Sequence, residues 1–339
     1  MHRFERSPAG AGATAPKALR RLVLALAAAV VAAASGVAPS PASQLIARGA
    51  AQVRLQVDRR GEALVSYAAA GRRWHVLAWG AIGARPPGGS RPQVRFHLDY
   101  AGGWGKYGRS IAVGFADACR PYSGPPLAWL VTACTAPDGT FWALQRFPQP
   151  LPDLGFAPWL AGQRTSWLEL SHWRGPLPRL EVHAGWVYGG RFQRLFGRFT
   201  YLGRPVYGLA STRRGAPADR FGRLLYLDTF DSVYGAGWRR ENSLLAHAPT
   251  GGFCYGLFPH DPTRGGYLHP PGYAGGLRGP GTGAAYRITA RGPGVTPDVV
   301  WQGPGLRAFD PSSRADVVYR AQSDRLLRQL LGPDPACHT

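Results

Sequence analysis

The chain has 339 residues, 45% of them apolar, which is enough for a substantial core in one large β domain or two smaller ones. Its 46 glycines and 31 prolines punctuate the sequence too densely for long helices but suit short strands joined by turns. The formal net charge is +21, and every cation except Lys17 and Lys106 is arginine; scattered without a run of four, they leave no nucleic-acid footprint and fit a solvated surface or attraction to an anionic polymer.

Residues 1–42 read as an export signal. Arg20-Arg21 precedes the apolar run Leu22–Ala34, and Ser40-Pro41-Ala42 is a small-x-small cleavage site, so the mature chain is expected to begin near Ser43 with a charge of +17. Arg20-Arg21-Leu22 loosely fits a twin-arginine signal, although Leu19 stands where Ser or Thr is usual. Left uncleaved, Leu22–Ala38 is at the short end of a membrane span, the one route by which this reading gives a membrane association. The four cysteines all follow the signal, and an even count in an exported chain favours disulfides: Cys119–Cys134 and Cys254–Cys337 are expected. No C-x-x-C pair supports a zinc site, and neither metal nor cofactor is expected.

In chain order, 43–52 reads as a flexible lead-in to a first β unit over 43–148. Val53–Val57 and Ala63–Tyr67 flank the turn Asp58-Arg59-Arg60-Gly61. Arg73–Ile82 follows, and then Val94–Tyr100, whose Val94, Phe96 and Leu98 alternate with Arg95, His97 and Asp99 in the pattern of one buried and one wet face. Ala101–Gly108 is a glycine-rich turn around Trp104. Its Gly-Lys pair is followed by Tyr107, not the Ser or Thr of a phosphate loop. Leu127–Thr132 and Thr140–Phe147 flank the turn Ala136-Pro137-Asp138-Gly139, and the proline-rich stretch 149–163 is a linker or loop.

A second β unit is expected over 164–310. It begins with Trp167–Trp173 and Arg179–Tyr188 and continues into a short internal echo. Phe196-Gly197-Arg198, Tyr201-Leu202 and Val206-Tyr207-Gly208 are answered by Phe221-Gly222-Arg223, Tyr226-Leu227 and Val233-Tyr234-Gly235, the grammar of an antiparallel meander. Ser243–His247, Phe253–Phe258, Ala285–Ala290 and Val299–Trp301 complete the strands. In the tail, 311–339, Asp310 as cap and Pro311 at the first turn predict a helix that stops at Gly332-Pro333, with Val318, Tyr319, Leu326, Leu327 and Leu330 on its apolar side. The fold class is therefore mainly antiparallel β, a sandwich or two stacked β units with one C-terminal helix.

The chemistry-bearing candidates lie in the echo. Leu225, Leu227 and Thr229 alternate with Tyr226, Asp228 and Phe230, so a core under the aliphatic side leaves an aromatic–carboxylate face outward, suited to sugar rings and hydroxyls. Trp238 joins Tyr226, Asp228 and Phe230 as a ligand-binding candidate; Trp79, Trp173 and Trp186 are further aromatics expected opposite the core. Asp228 or Asp231 with Glu241 could supply the two carboxyl groups of a glycoside hydrolase, although Arg239 and Arg240 beside Glu241 favour its ionised form and oppose an acid role. His260, Asp261 and His269 match no metal-site spacing. No G-x-S-x-G, H-E-x-x-H or Walker motif is present. The composition thus points first to a non-enzymatic secreted or envelope-associated protein binding polysaccharide or an anionic envelope polymer. A carbohydrate-active hydrolase or lyase and a purely structural envelope protein are the alternatives.

Overall fold

The structure is a computed structural model describing residues 43–85, 93–148, 165–190, 192–206, 251–257 and 285–332, with short strand segments at 210–211, 217–218, 226–229, 238–240, 260–261 and 266–267. Its first elements are β1 (Gln44–Arg48), β2 (Ala51–Val57), β3 (Ala63–Ala69), β4 (Arg72–Trp79), β5 (His97–Asp99), the single helical turn α1 (Trp104–Tyr107), β6 (Arg120–Pro121), β7 (Leu130–Thr135), β8 (Phe141–Pro148) and β9 (Ser166–Trp173). Strands β2-β3-β4-β5 form one antiparallel sheet and β1-β9-β8-β7-β6 another. Strand period two sends Leu55, Val57, Val65, Val76 and Ala78 of the first sheet and Trp142, Leu144, Leu168 and Leu170 of the second into one shared core. Strand β9, from beyond the proline-rich stretch, thus lies between β8 and β1.

The rest of the chain supplies β10 (Arg179–Val187), β11 (Phe192–Tyr201), β12 (Arg204–Pro205), β13 (Ala210–Ser211), β14 (Pro217–Ala218), β15 (Tyr226–Thr229), β16 (Trp238–Arg240), β17 (Gly252–Leu257), β18 (His260–Asp261), β19 (Gly266–Tyr267), β20 (Ala285–Ala290), β21 (Val299–Pro304) and helix α2 (Arg314–Leu331). Strand β11 pairs with β10, β12 and β17, while β16-β15-β20-β21 form a separate four-stranded sheet. Leu195, Phe199 and Phe253 of the former meet Tyr286, Ile288 and Ala290 of the latter in a second core. Helix α2 covers the opposite side, where Leu327, Leu330 and Leu331 bury against Phe196 and Cys254. The chain is mainly antiparallel β, sandwich-like, with a C-terminal helix.

Several local expectations need correction. The lead-in is not loose: β1 pairs with β9, a register shift between Leu45 and Ala47 sends Ile46 into the core, and Gln44 Oε1 accepts from Phe96 N–H at 2.9 Å. The alternation in 94–98 does place Phe96 in the core, but ladder pairing is confined to β5, because this edge segment bonds Gln44 instead. Helix α2 is capped by Ser313, whose hydroxyl accepts from Asp316 N–H, and not by Asp310; Asp310 closes the preceding turn by accepting from Ser312 N–H at 2.9 Å. Its last turn ends at Gly332 as expected. Val318 and Tyr319 stay 46% and 40% exposed; Tyr319 reaches β10 only at its edge, donating to Ala184 O at 3.0 Å and meeting the Trp186 ring edge-on, while Ser323 makes the close approach, where a Cβ on Gly185 would lie 2.2 Å from its Oγ. Trp173 and Trp186 are buried core residues, not outward-facing ones.

Cys119 and Cys134 form a disulfide that ties the approach to β6 onto β7. By loop entropy a ring of this size contributes about 3 kcal/mol. Cys254 is also disulfide-bonded, and Cys337 lies outside the described residues.

Candidate functional site

The outer face of the first sheet carries Gln56, Leu64, Ser66 and Leu77, all buried. A strap, residues 100–118, leaves β5 and returns to β2, where Ala118 N–H donates to Val57 O at 2.7 Å. On the way it passes this face, and a Cβ on its Gly102 would lie 3.3 Å from the Cβ of His75, the register partner of Ser66. Asp99 holds the strap's first turn in shape. Its Oδ1 accepts from Ala101 N–H at 2.8 Å, and its Oδ2 accepts from Gly103 N–H at 3.0 Å and from Gly105 N–H at 2.7 Å. Gly103 has φ 117°, and a Cβ there would lie 2.9 Å from Ile111 Cγ1, so glycine is required twice over. The glycine-rich turn recognised in the sequence is therefore a rigid platform, and it presents Trp104 at 58% exposure.

The far end of α1 is anchored by a buried carboxylate. Glu62, at the start of β3, accepts from Lys106 Nζ and, at 2.7 and 2.6 Å, from Tyr107 OH; Arg60 Nη2 lies 3.4 Å from its second oxygen. Lys106 sits 4.6 Å from the centroid of the Trp79 ring, which stacks on His97, and Arg60 lies 5.1 Å over Tyr107. Burial works against the Lys106 ammonium, but hydrogen bonding and the charge of Glu62 outweigh it and raise its pKa. The Tyr107 hydroxyl is pushed up by burial and then by Glu62. The result is a surface combining an exposed indole, pre-set cations and hydroxyl-competent groups, held by hydrogen bonds at both ends. By composition alone Gly102–Lys106 is only a turn. The signal of its larger role is an acidic residue directly before a glycine-dense aromatic stretch, the arrangement in which a carboxylate collects successive amide N–H groups.

The expected site residues fare differently. Tyr226 and Asp228 lie on β15, where Leu227 pairs with the buried Ile288 and Asp228 pairs with Arg287 on one side and Arg239 on the other. This register puts position 227 level with a core residue and position 228 on the alternate face, between two arginine positions. Trp238 pairs with Thr229 on β16. Phe230, Asp231 and Glu241 lie outside the described residues, as does His269; His260 and Asp261 form β18. Among the described residues no group of three or more His, Cys, Asp or Glu side chains could hold a metal.

A different pair of carboxylates, which no local pattern singles out, does meet in the interior. Glu169 of β9 and Asp298, just before β21, share Arg291: Nη1 lies 2.8 Å from Glu169 Oε1 and 3.8 Å from Asp298 Oδ2. Asp298 Oδ1 also accepts from Ser43 Oγ at 2.6 Å and from Gly292 N–H at 3.0 Å. Both carboxylates are sealed from solvent, so a polymer chain has no direct approach to them. No protein-family model, curated protein or solved structure matches the chain.

Proposed function

We propose that this is an exported, non-enzymatic binding protein whose strap holds an anionic polysaccharide. The observation that carries the reading is Trp104, solvent-exposed on a turn fixed by three amide bonds to Asp99, one residue from Gly105 and two from Lys106. A fixed aromatic ring stacks on a sugar face without a further ordering cost, and the neighbouring cations meet acidic substituents. The same pairing of arginine with an aromatic ring recurs elsewhere, Arg72 over Trp74 at 5.3 Å and Arg287 over Trp129 at 4.6 Å. The charge of +17 expected for the mature chain supports long-range attraction of such a polymer, with the salt sensitivity that this implies.

Retention on immobilised alginate, compared with neutral dextran, tests the proposal. Wild-type protein should bind alginate at low salt and release it as salt rises. Trp104→Ala should weaken retention by roughly tenfold, the scale of one lost aromatic contact, with stability unchanged within about 0.5 kcal/mol. Equal binding to both matrices, or binding indifferent to Trp104→Ala, removes the strap from the proposal. The paired change Tyr226→Ala with Asp228→Ala then decides whether the β15 face is the binding surface.

A further inference from the structure

The connection from β20 to β21, residues 291–298, leaves its own sheet and docks on β9. Its backbone is held in place by two bonds, from His172 N–H to Val295 O and from Val295 N–H to Gly83 O, and Gly83 N–H closes the ring to His172 O, each at 2.8 Å. Its side chains bring a guanidinium, Arg291, and a carboxylate, Asp298, to a strand that offers a second carboxylate, Glu169. Gln145 of β8 braces the arrangement, accepting from Asp298 N–H and donating to Asp298 O, both at 3.1 Å.

The charge balance of this cluster is uneven. Counted over these three groups, with Asp298 ionised and Arg291 cationic, a neutral Glu169 leaves no net charge, whereas an ionised Glu169 leaves one negative charge. Burial of an uncompensated charge costs several kcal/mol. The two oxygens of Glu169 report the same preference. Oε1 takes the Arg291 hydrogen bond, while Oε2, fully buried, has no hydrogen-bond donor among the described residues. A carboxylate would need a donor there; a carboxylic acid carries its own proton on that oxygen.

We propose that Glu169 is the proton-binding site of a latch that docks residues 291–298 on β9, closed when Glu169 is neutral and loosened when it ionises. Among the described residues, these groups face it. Arg291 and Asp298 come from the connection itself, Arg48 of β1 lies beyond Trp167 at 5.4 Å from that ring, and Tyr100, after β5, feels the Glu169 charge; the partners in register, Gln145 on β8 and Leu45 on β1, do not titrate. Burial, then the charge of Asp298, raises the Glu169 pKa from 4.5 to about 7 against the opposing pull of Arg291. A raised carboxyl pKa means that the native state holds a proton which the unfolded chain has already lost. The docked state is therefore favoured below pH 4.5 and weakens as pH rises toward 7.

Hydrogen exchange of the full chain, corrected for the intrinsic pH dependence of exchange, tests the latch. The amides of His172 and Val295 should lose roughly tenfold of their protection between pH 6 and 8 in the wild type, and hold it in Glu169→Gln, which fixes the neutral form. Constant wild-type protection, or the same decline in Glu169→Gln, overturns the proposal. Should Glu169→Gln fail to fold, a 13C-glutamate carboxyl titration of the wild type decides, since the chain has only five glutamates. A buried resonance with a midpoint above pH 6 supports the latch, and the absence of one overturns it.

Discussion

Glu169 and His172 stand three residues apart on β9, enter opposite faces of its sheet, and are both tied to the same connection, Glu169 through Arg291 and His172 through its own amide. The His172 ring stacks on Trp142 at 3.9 Å. Its Nδ1 lies 2.6 Å from Ala81 O and must donate to it, and its Nε2 lies 2.8 Å from Thr140 Oγ1. Burial, opposed by the Ala81 bond, lowers the pKa of this histidine from 6.5 to about 4. Thr140 Oγ1 donates to Asp138 Oδ1 at 2.7 Å, and the neutral His172 ring presents its Nε2 as an acceptor to the same hydroxyl.

The two groups give opposite pH slopes. A lowered histidine pKa contributes stability above pH 6.5 that is lost as pH falls through 4; the raised Glu169 pKa contributes stability below pH 4.5 that is lost as pH rises through 7. Each is worth roughly 3 kcal/mol at 1.36 kcal/mol per unit. Urea unfolding at stepped pH should find the wild type nearly level between pH 4.5 and 6.5. His172→Gln should instead lose roughly 3 kcal/mol across pH 4.5 to 7, with Glu169 left unopposed. A level profile in the variant would refute the compensation.

The strap's rigidity rests on Asp99. Asp99→Ala leaves three amide N–H groups without their acceptor and should cost about 2–4 kcal/mol locally. Lys106 makes this measurable, because the chain has only one other lysine, Lys17. A lysine-specific protease should cut wild-type protein slowly at Lys106 and Asp99→Ala rapidly. Equal nicking of both proteins would show that the strap does not depend on this carboxylate.

Helix α2 separates two caps that the sequence does not. Ser313→Ala should cost about 1 kcal/mol by removing the acceptor for Asp316 N–H. Asp310→Ala should cost less, since its carboxylate serves the exposed turn ahead of the helix, chiefly Ser312, and not the helix amides. Thermal unfolding of the two variants ranks them, and the reverse order would return the cap to Asp310.

Much of the framework is legible from residue patterns. Ala285–Ala290 is a strand with the boundaries that alternation gives it, β9 differs from its expected span by one residue, and Gly332 ends the last helix. What escapes is tertiary. Pro311 suggests a helix start because its φ suits one, but the chain takes another turn before Ser313. Trp173 resembles a surface aromatic until neighbouring Phe141 and Tyr122 enclose it. The Glu169–Arg291 pair spans 122 positions, and no local pattern announces it. Its one trace is a glutamate between leucines in β9, a charge set in a strand with apolar neighbours.

The bond from Ser43 Oγ to Asp298 Oδ1 joins positions 255 apart in the chain. The first strand of the fold thus waits for one of the last connections before its surroundings are complete. Contacts of such long span slow folding, because loop closure precedes any reward. During synthesis, β1, β8 and β9 can assemble while Glu169 still lacks its counter-cation, so a nascent chain halted short of residue 291 carries an unneutralised carboxyl group on an open sheet face. Completion of the first sandwich is in this sense a late event, set by the arrival of Arg291 and not by the strands that build its core.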